Sequence, residues 1–127
     1  DIYGNLTLES INKEIEEYAK ELDLKTLFFQ SNIEGEIVNK IQSSDNSNGI
    51  IINAAAFTHT SVAIRDALSL FKNPCIELHI SNIHKREGFR HKSMISDVVT
   101  GIICGLGTNG YILAINSIYE MINNGNK

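Results

Sequence analysis

The sequence predicts an α/β fold built on a doubly wound parallel sheet, in one domain spanning residues 1–127. Helical and strand-like segments alternate with short connections, which favours parallel strands with helices on both faces. Residues 49–54 form a continuous apolar, β-branched run, typical of a strand buried on both sides. The chain opens with a helix, so the fold is flavodoxin-like with its first, central strand absent from this chain and expected upstream of Asp1.

Four helices are predicted from apolar residues at helical spacing and from residues suited to cap them. They cover residues 8–22, 34–41, 62–71 and 111–122. Thr7 is the candidate N-cap of the first helix, and Ser31 with Glu34 has the spacing of a capping box for the second. Residues 58–61 offer caps for the third, which ends before Pro74.

Four strands are predicted between these helices, at residues 24–30, 49–54, 75–80 and 98–104. In the third, Ile76, Leu78 and Ile80 alternate with two polar residues. Glu77 and His79 therefore share one face of the strand. A carboxylate beside an imidazole sets the tautomer and supports the cationic form. The alternative is a structural ion pair, in a salt-bridged surface loop that follows an edge strand.

Composition narrows the class of protein. The net charge of −4 argues against a nucleic-acid partner. Cys75 and Cys104 lie in apolar runs, which indicates two buried thiols in a reducing compartment, and the histidines lack the spacing of a zinc site. No apolar run approaches eighteen residues, so no membrane span is predicted, and we expect a cytoplasmic protein without a metal.

Polar residues gather where the predicted strands end. Asn53 follows the buried strand, His59 precedes the next helix, and His79 closes the strand after it. Ligands of open parallel sheets bind at the carboxyl ends of the strands, so these side chains predict a site. The backbone amides after His79 could also hold a carboxylate as a small anion nest.

Residues 105–110 match the spacing of a dinucleotide-binding fingerprint, but no further strand with an acidic residue follows them. These glycines are interpreted as a tight turn between strand and helix. A phosphate-binding loop with a Lys-Ser/Thr pair is absent, and Ser61 lacks the flanking glycines of a nucleophilic serine. Neither nucleotide binding nor covalent serine chemistry is expected.

Longer blocks of the sequence resemble the type II 3-dehydroquinate dehydratases, or type II dehydroquinases. The resemblance lies in Tyr3-Gly4 and in residues 29–35, 52–67, 77–84, 86–90 and 105–107. It implies a cofactor-free lyase that dehydrates 3-dehydroquinate to 3-dehydroshikimate through an enolate, in the shikimate pathway of aromatic amino acid biosynthesis or in the quinate pathway. Such chemistry needs a base, an acid and a group that stabilises the enolate oxygen.

The resemblance implies five catalytic positions. Tyr3 is the implied base, acting as a tyrosinate, and Arg86 helps to lower its pKa from the ordinary value of about 10. His79 is the implied acid that protonates the departing hydroxyl, and Glu77 orients it. Asn53 is implied to hold the substrate and an ordered water near the enolate oxygen.

Further positions are implied to bind the substrate. The amides of Ile80 and Ser81 match the family's carboxylate site, and His59 and Arg90 match its contacts to ring hydroxyls. Asp66 matches a position that reaches the site across a subunit boundary, in a family that assembles as trimers grouped into a homododecamer.

The chain departs from the family at its N-terminus, where the family has a strand and a mobile lid loop with an essential arginine. We expect both upstream of Asp1. The alternative to a lyase is a non-enzymatic flavodoxin-like module: a signalling receiver, a flavin carrier or an inactive scaffold. A receiver needs an acidic pair at its strand ends, where this chain has Asn53.

Overall fold

The computed structural model describes residues 7–124, and its elements follow the predicted alternation from residue 34 onward. The helices are α1 (Leu8–Glu21), α2 (Glu34–Ser43), α3 (Val62–Ser69) and α4 (Asn109–Asn123). The strands are β1 (Ile50–Ile52), β2 (Cys75–His79) and β3 (Gly101–Cys104). They form a parallel sheet in the order β1-β2-β3. Short 3-10 turns cover Ala55–His59, Ile83–Lys85 and Gly88–Arg90.

Helices lie on both faces of the sheet, so the predicted α/β fold class is confirmed. On one face, α2 and α3 pack on the sheet through Ile41, Ile52, Ile64, Leu68 and Cys75. On the other face, α1 and α4 pack through Ile15, Ala19, Ile76, Leu78, Ala114, Ile115 and Ile118. Each fully buried Ile or Leu side chain contributes about 1.5–3 kcal/mol. These two layers therefore hold the strands in register.

Within the sheet of residues 7–124, strand β2 is the middle strand, and all five of its residues are buried. Ile76 and Leu78 face the side covered by α4. Glu77 and His79 face the other side, because side chains alternate along a strand. The alternative of an edge strand followed by a salt-bridged surface loop is therefore wrong for this pair.

Residues 24–30, predicted as a strand, form none. A strand needs a neighbour for its backbone hydrogen bonds, and the sheet within residues 7–124 consists of β1, β2 and β3. In the flavodoxin order the second strand pairs with the first strand alone, and no described residue supplies that first strand. Leu27, Phe28 and Phe29 are accordingly 73, 42 and 49% exposed.

The predicted capping box of α2 is also absent. Ile33 is the N-cap, and its apolar side chain accepts no capping hydrogen bond. Its backbone N–H donates to the Ser31 hydroxyl at 3.0 Å, and that hydroxyl donates to Glu36 at 2.5 Å. Glu34 instead accepts a hydrogen bond of 2.5 Å from Ser61, the N-cap of α3. The Glu34 carboxylate, which the sequence assigns to a capping box of α2, therefore links α2 to α3 instead.

Side-chain hydrogen bonds set the start of two other elements. Thr7 caps α1 as predicted, because its hydroxyl accepts from the backbone N–H of Ser10 at 3.0 Å. Strand β3 begins later than predicted, since the backbone N–H of Val98 donates to Ile95 in a turn. The Thr100 hydroxyl then accepts from the backbone of β2 at 2.9 Å.

The glycine-rich segment after β3 is the tight turn that the sequence indicates. The backbone N–H groups of Gly105 and Gly107 donate to the carbonyls of His79 and Ile80, both at 3.0 Å. Gly105 has a φ of +85°, and a Cβ placed on it would lie 3.1 Å from the Cβ of Asn82. This turn therefore packs directly against the end of β2.

Substitution Gly105→Ala is expected to lower the free energy of unfolding by about 2 kcal/mol, since a left-handed non-glycine residue costs about 1–2 kcal/mol before any clash. Gly101→Ala is the matched control, because its Cβ would meet only Ile76 at an ordinary 3.6 Å. We expect the control to stay within about 0.5 kcal/mol of the wild type in urea unfolding. Equal losses in the two variants would contradict the strain at Gly105.

Candidate active site

A buried carboxylate–imidazole pair closes strand β2. Glu77 is 0% exposed and His79 is 5% exposed. His79 Nε2 lies 2.5 Å from Glu77 Oε2. The hydroxyl of Ser96 donates to the other carboxylate oxygen, Oε1, at 2.6 Å. Both oxygens of Glu77 are therefore engaged, one by the imidazole and one by a serine from a distant turn.

The hydrogen bonds keep Glu77 ionised. Burial raises the pKa of Glu77, but hydrogen bonds from His79, Ser96 and Ser93 outweigh that effect and hold the pKa below its ordinary value. An ionised carboxylate only accepts hydrogen bonds, so His79 Nε2 carries the proton in this pair. Within residues 7–124, His79 Nδ1 makes no hydrogen bond, and it is the nitrogen that can exchange a proton with a ligand.

The lowered pKa of Glu77 gives the stability a defined dependence on pH. A carboxyl whose pKa is lower in the folded state stabilises the fold above its unfolded pKa, about 4.3 for glutamate. That stabilisation is lost as the pH falls through the folded pKa. We expect the unfolding free energy to fall less between pH 6 and pH 3 in Glu77→Gln than in the wild type. Equal losses in urea unfolding would contradict this assignment.

Asn53 follows β1 at the same edge of the sheet, directly after Ile52, whose register partner is Glu77. The Asn53 Oδ1 atom accepts a hydrogen bond of 3.1 Å from the backbone of Ala55, which has a φ of +52°. With Oδ1 engaged, the amide offers its N–H donors to a ligand. Strained backbone of this kind concentrates at functional sites. That Asn53 donates to an enolate oxygen stays a prediction.

His59 lies beside this edge, at the end of the Ala55–His59 turn. Its Nδ1 donates to the carbonyl of Lys92 at 2.8 Å, because a carbonyl only accepts. In the neutral ring Nε2 is then an acceptor. The Ala55–His59 turn packs against the Gly88–Arg90 turn, so the structure brings the segments that carry His59 and Arg90 together.

The two arginines of this loop differ in their surroundings. Arg90 pairs with Glu87 at 3.0 Å and lies over the ring of Phe89 at 5.1 Å. Arg86 is exposed. His84, which the resemblance leaves without a role, is also exposed and packs on the ring of His91. The predicted roles of Arg86 and Arg90 toward a ligand stay predictions.

The two cysteines differ in burial. Cys75 is buried, and burial together with Glu77 raises its pKa to about 12. Cys104 is half-buried, which corrects the expectation of two buried thiols. It pairs with His79 in the sheet register, and its thiol lies 3.6 Å from the carbonyl of Ser81. That Ser81 and Ile80 hold a carboxylate stays a prediction.

Two further predicted positions are Tyr3 and Asp66. Tyr3 lies outside the described residues 7–124. Asp66 is exposed on α3, and its neighbour Arg65 pairs with Asp97. Sequence reasoning also missed Ser96, because no spacing or motif links a serine in a loop to a glutamate in a strand.

Residues 7–124 hold no group of three or more His, Cys, Asp or Glu side chains arranged to bind a metal ion. Within the same residues, no helix is long and apolar enough to cross a membrane. The chemistry-bearing side chains that the structure does bring together are an ionised carboxylate, an imidazole and an amide.

Comparisons with known proteins agree with the fold. A family model described as dehydroquinase class II matches residues 1–119. The chain is 50% identical to the 3-dehydroquinate dehydratase of Halothermothrix orenii over 126 residues, 98% of this chain and 85% of that protein. It is 54% identical to the 3-dehydroquinate dehydratase of Endomicrobium trichonymphae over 122 residues, 95% of this chain and 85% of that protein.

Solved structures of type II dehydroquinases also match this chain. The type II dehydroquinase of Propionibacterium acnes matches with a TM-score of 0.87 and 40% identity, over 91% of this chain and 85% of that one. The type II dehydroquinase of Butyrivibrio crossotus matches with a TM-score of 0.88 and 44% identity, over 91% of this chain and 82% of that one.

Together the fold and these relatives define a flavodoxin-like α/β enzyme, which carries a buried carboxylate–imidazole pair at the carboxyl edge of its sheet. The match over residues 1–119 then settles the family: the chain belongs to the class II dehydroquinases.

Proposed function

We propose that this protein dehydrates 3-dehydroquinate to 3-dehydroshikimate through an enolate, with groups of the protein alone. One observation carries the proposal: the buried Glu77–His79 pair ends β2 beside Asn53, with Nδ1 of the imidazole left for a ligand. The relatives named 3-dehydroquinate dehydratase support the choice of substrate.

His79 acts as the general acid. Its Nε2–H is held by Glu77 at 2.5 Å, so the ring can donate a proton from Nδ1 when it is cationic. The ionised carboxylate stabilises that cation. Protonation of the departing hydroxyl then completes the loss of water, and general acid catalysis of this kind contributes about 10²–10⁴-fold.

Tyr3 acts as the base that removes the proton beside the ketone, and Arg86 favours its ionised form. Asn53 donates to the enolate oxygen, directly or through water, which places a fixed dipole where negative charge develops. The hydrogen bond from Ala55 supports this role, because it occupies the amide oxygen at 3.1 Å and leaves the N–H donors.

The remaining contacts orient the substrate. The amides of Ile80 and Ser81 bind its carboxylate, while His59 and Arg90 bind ring hydroxyls. Asp66 reaches the site of a neighbouring subunit. Its exposure on α3 supports this role, since an exposed carboxylate is accessible to another subunit.

The proposed cellular location, assembly and pathway follow from the proposed reaction. We place the enzyme in the cytoplasm as a homododecamer of four trimers, in the shikimate or the quinate pathway. Sedimentation of the purified protein tests the assembly: a species near twelve times the chain mass supports it, and a monomer speaks against it.

An ultraviolet assay tests the reaction, because the product contains a conjugated enone and the substrate does not. The assay uses the protein with any residues that precede Asp1. We expect absorbance to rise on addition of 3-dehydroquinate. A folded protein that leaves the substrate unchanged would favour the non-enzymatic binding module or scaffold instead.

A further inference from the structure

We propose that Ser96 is a positioning residue for the acid–base pair, holding the carboxylate of Glu77 so that Glu77 in turn fixes His79. The inference rests on the proposed dehydration, in which His79 is the proton donor. Ser96 lies in the Ser93–Val98 turn, and none of the catalytic or binding roles proposed above belongs to a residue of this turn.

The first support is geometric. Ser96 Oγ lies 2.6 Å from Glu77 Oε1, and His79 Nε2 lies 2.5 Å from Oε2 of the same carboxylate. The terminal torsion of a glutamate is broad, so a carboxylate held at one oxygen can rotate. A second donor on the other oxygen removes that freedom and fixes the direction of the oxygen that faces the imidazole.

The turn that carries Ser96 is itself well ordered by internal bonds. Ser93 Oγ accepts from the backbone N–H groups of Ile95 and Ser96, both at 3.1 Å. The side chain of Ile95 is fully buried in the core against α2 and α3. The backbone of Ser96 therefore has little freedom to move away from Glu77.

Contacts from two other elements anchor the same turn. The backbone N–H of Met94 donates to the carbonyl of Thr58 at 2.7 Å, and Arg65 donates to the carbonyl of Met94 at 2.9 Å. Arg65 also pairs with Asp97. Three chain segments thus meet at this turn: α3, the Ala55–His59 turn and the end of β2. These several contacts fix the position of Ser96, as a residue that orients Glu77 requires.

Ser93, on the same turn as Ser96, also donates a hydrogen bond to Glu77. The strands beside Glu77 offer its carboxylate no donor. Its register partners are Ile52 and Ile102, which carry no polar side chain. Among described residues, the titratable groups that act on it or feel its charge are His79 and Cys75, both on β2. A donor to a carboxylate also favours the ionised form, so Ser96 opposes the effect of burial.

The test is Ser96→Ala, with Ser96→Thr as the variant that keeps the hydroxyl. We expect Ser96→Ala to lower kcat about tenfold, the usual size for a hydrogen bond to a charged group. KM should change little, because Ser96 does not touch the substrate. The acidic limb of the kcat profile should move to higher pH, since Glu77 then protonates more readily. Ser96→Thr should restore both.

Ser44→Ala is the matched control. The Ser44 hydroxyl is also part-buried, but it donates to the carbonyl of Lys40 at 2.6 Å, far from this pair in the chain. Its kcat and pH profile should equal those of the wild type. An active wild type whose kcat and acidic limb are unchanged by Ser96→Ala would overturn the role of Ser96. A folded but inactive wild type would overturn the proposed function instead.

A measurement without turnover covers the case in which Ser96→Ala folds poorly. The carboxyl carbon of Glu77 is titrated by NMR in the wild type and in Ser96→Thr. A midpoint below the ordinary range for glutamate in both proteins supports the proposal. A midpoint at or above that range in the wild type overturns it, because the serine would then not hold an ionised carboxylate.

Discussion

Replacing His79 with alanine is expected to lower kcat for 3-dehydroquinate by about two to four orders of magnitude, the usual contribution of a general acid. Under the proposed mechanism, Nδ1 of this imidazole donates the proton to the departing hydroxyl, and the substitution removes that donor. We expect substrate binding to be largely kept, because the proposed contacts to the carboxylate and ring hydroxyls come from other residues. Steady-state kinetics should show this loss in kcat and a small change in KM.

His84→Ala is the matched control for that experiment. His84 is exposed and its ring packs on His91, so its removal leaves Glu77 and its partners untouched. We expect wild-type kinetics from this variant. Full turnover in His79→Ala would contradict the proposed role of His79. Equal losses of kcat in the two histidine variants would show that the effect is not specific to the buried imidazole.

Substitution Glu77→Ala is expected to lower the free energy of unfolding by about 3 kcal/mol or more. It leaves the buried His79 and the hydroxyl of Ser96 without their partner, at about 1–3 kcal/mol for each unpaired group, and adds a cavity in the middle strand. Turnover should fall as well, since the imidazole loses the group that sets its tautomer. Urea unfolding at neutral pH measures the first effect.

Two further variants serve as comparisons for the loss of stability in Glu77→Ala. Glu77→Gln keeps the size of the side chain and can still bond both neighbours, because the serine hydroxyl can accept as well as donate. It should therefore cost less stability than alanine. Glu36→Ala removes an exposed carboxylate bonded to Ser31 and should stay within about 0.5 kcal/mol of the wild type. A loss in Glu77→Ala no larger than in Glu36→Ala would contradict the buried network.

The alternation of helices and strands was predictable because apolar periodicity is local. The run at residues 49–54 and the alternation from Ile76 to Ile80 each follow from side-chain spacing, and Thr7 caps its helix as its position indicates. The face shared by Glu77 and His79 was likewise determined by the period of a strand. Their contact could be inferred before the sheet was known.

Pairing between distant segments was less predictable. Residues 24–30 have the composition of a strand, yet a strand exists only beside a partner, and none of the described residues supplies one. Glu34 has the spacing of a local cap but bonds to Ser61 of another helix at 2.5 Å. Residues 24–30 form no strand because a neighbouring strand is absent from the described residues. Glu34 leaves its local cap because Ser61 offers a hydrogen bond from another helix.

The sequence by itself determined the fold class, the carboxyl edge of the sheet as the candidate site, and the two-residue spacing of Glu77 and His79. Only the tertiary structure decided that β2 is the middle strand, which turns an ambiguous surface pair into a buried one. It alone brought Ser96 to the second oxygen of Glu77 at 2.6 Å. The physical reason is that burial and long-range hydrogen bonds depend on how distant segments pack, whereas side-chain spacing is a property of the backbone alone.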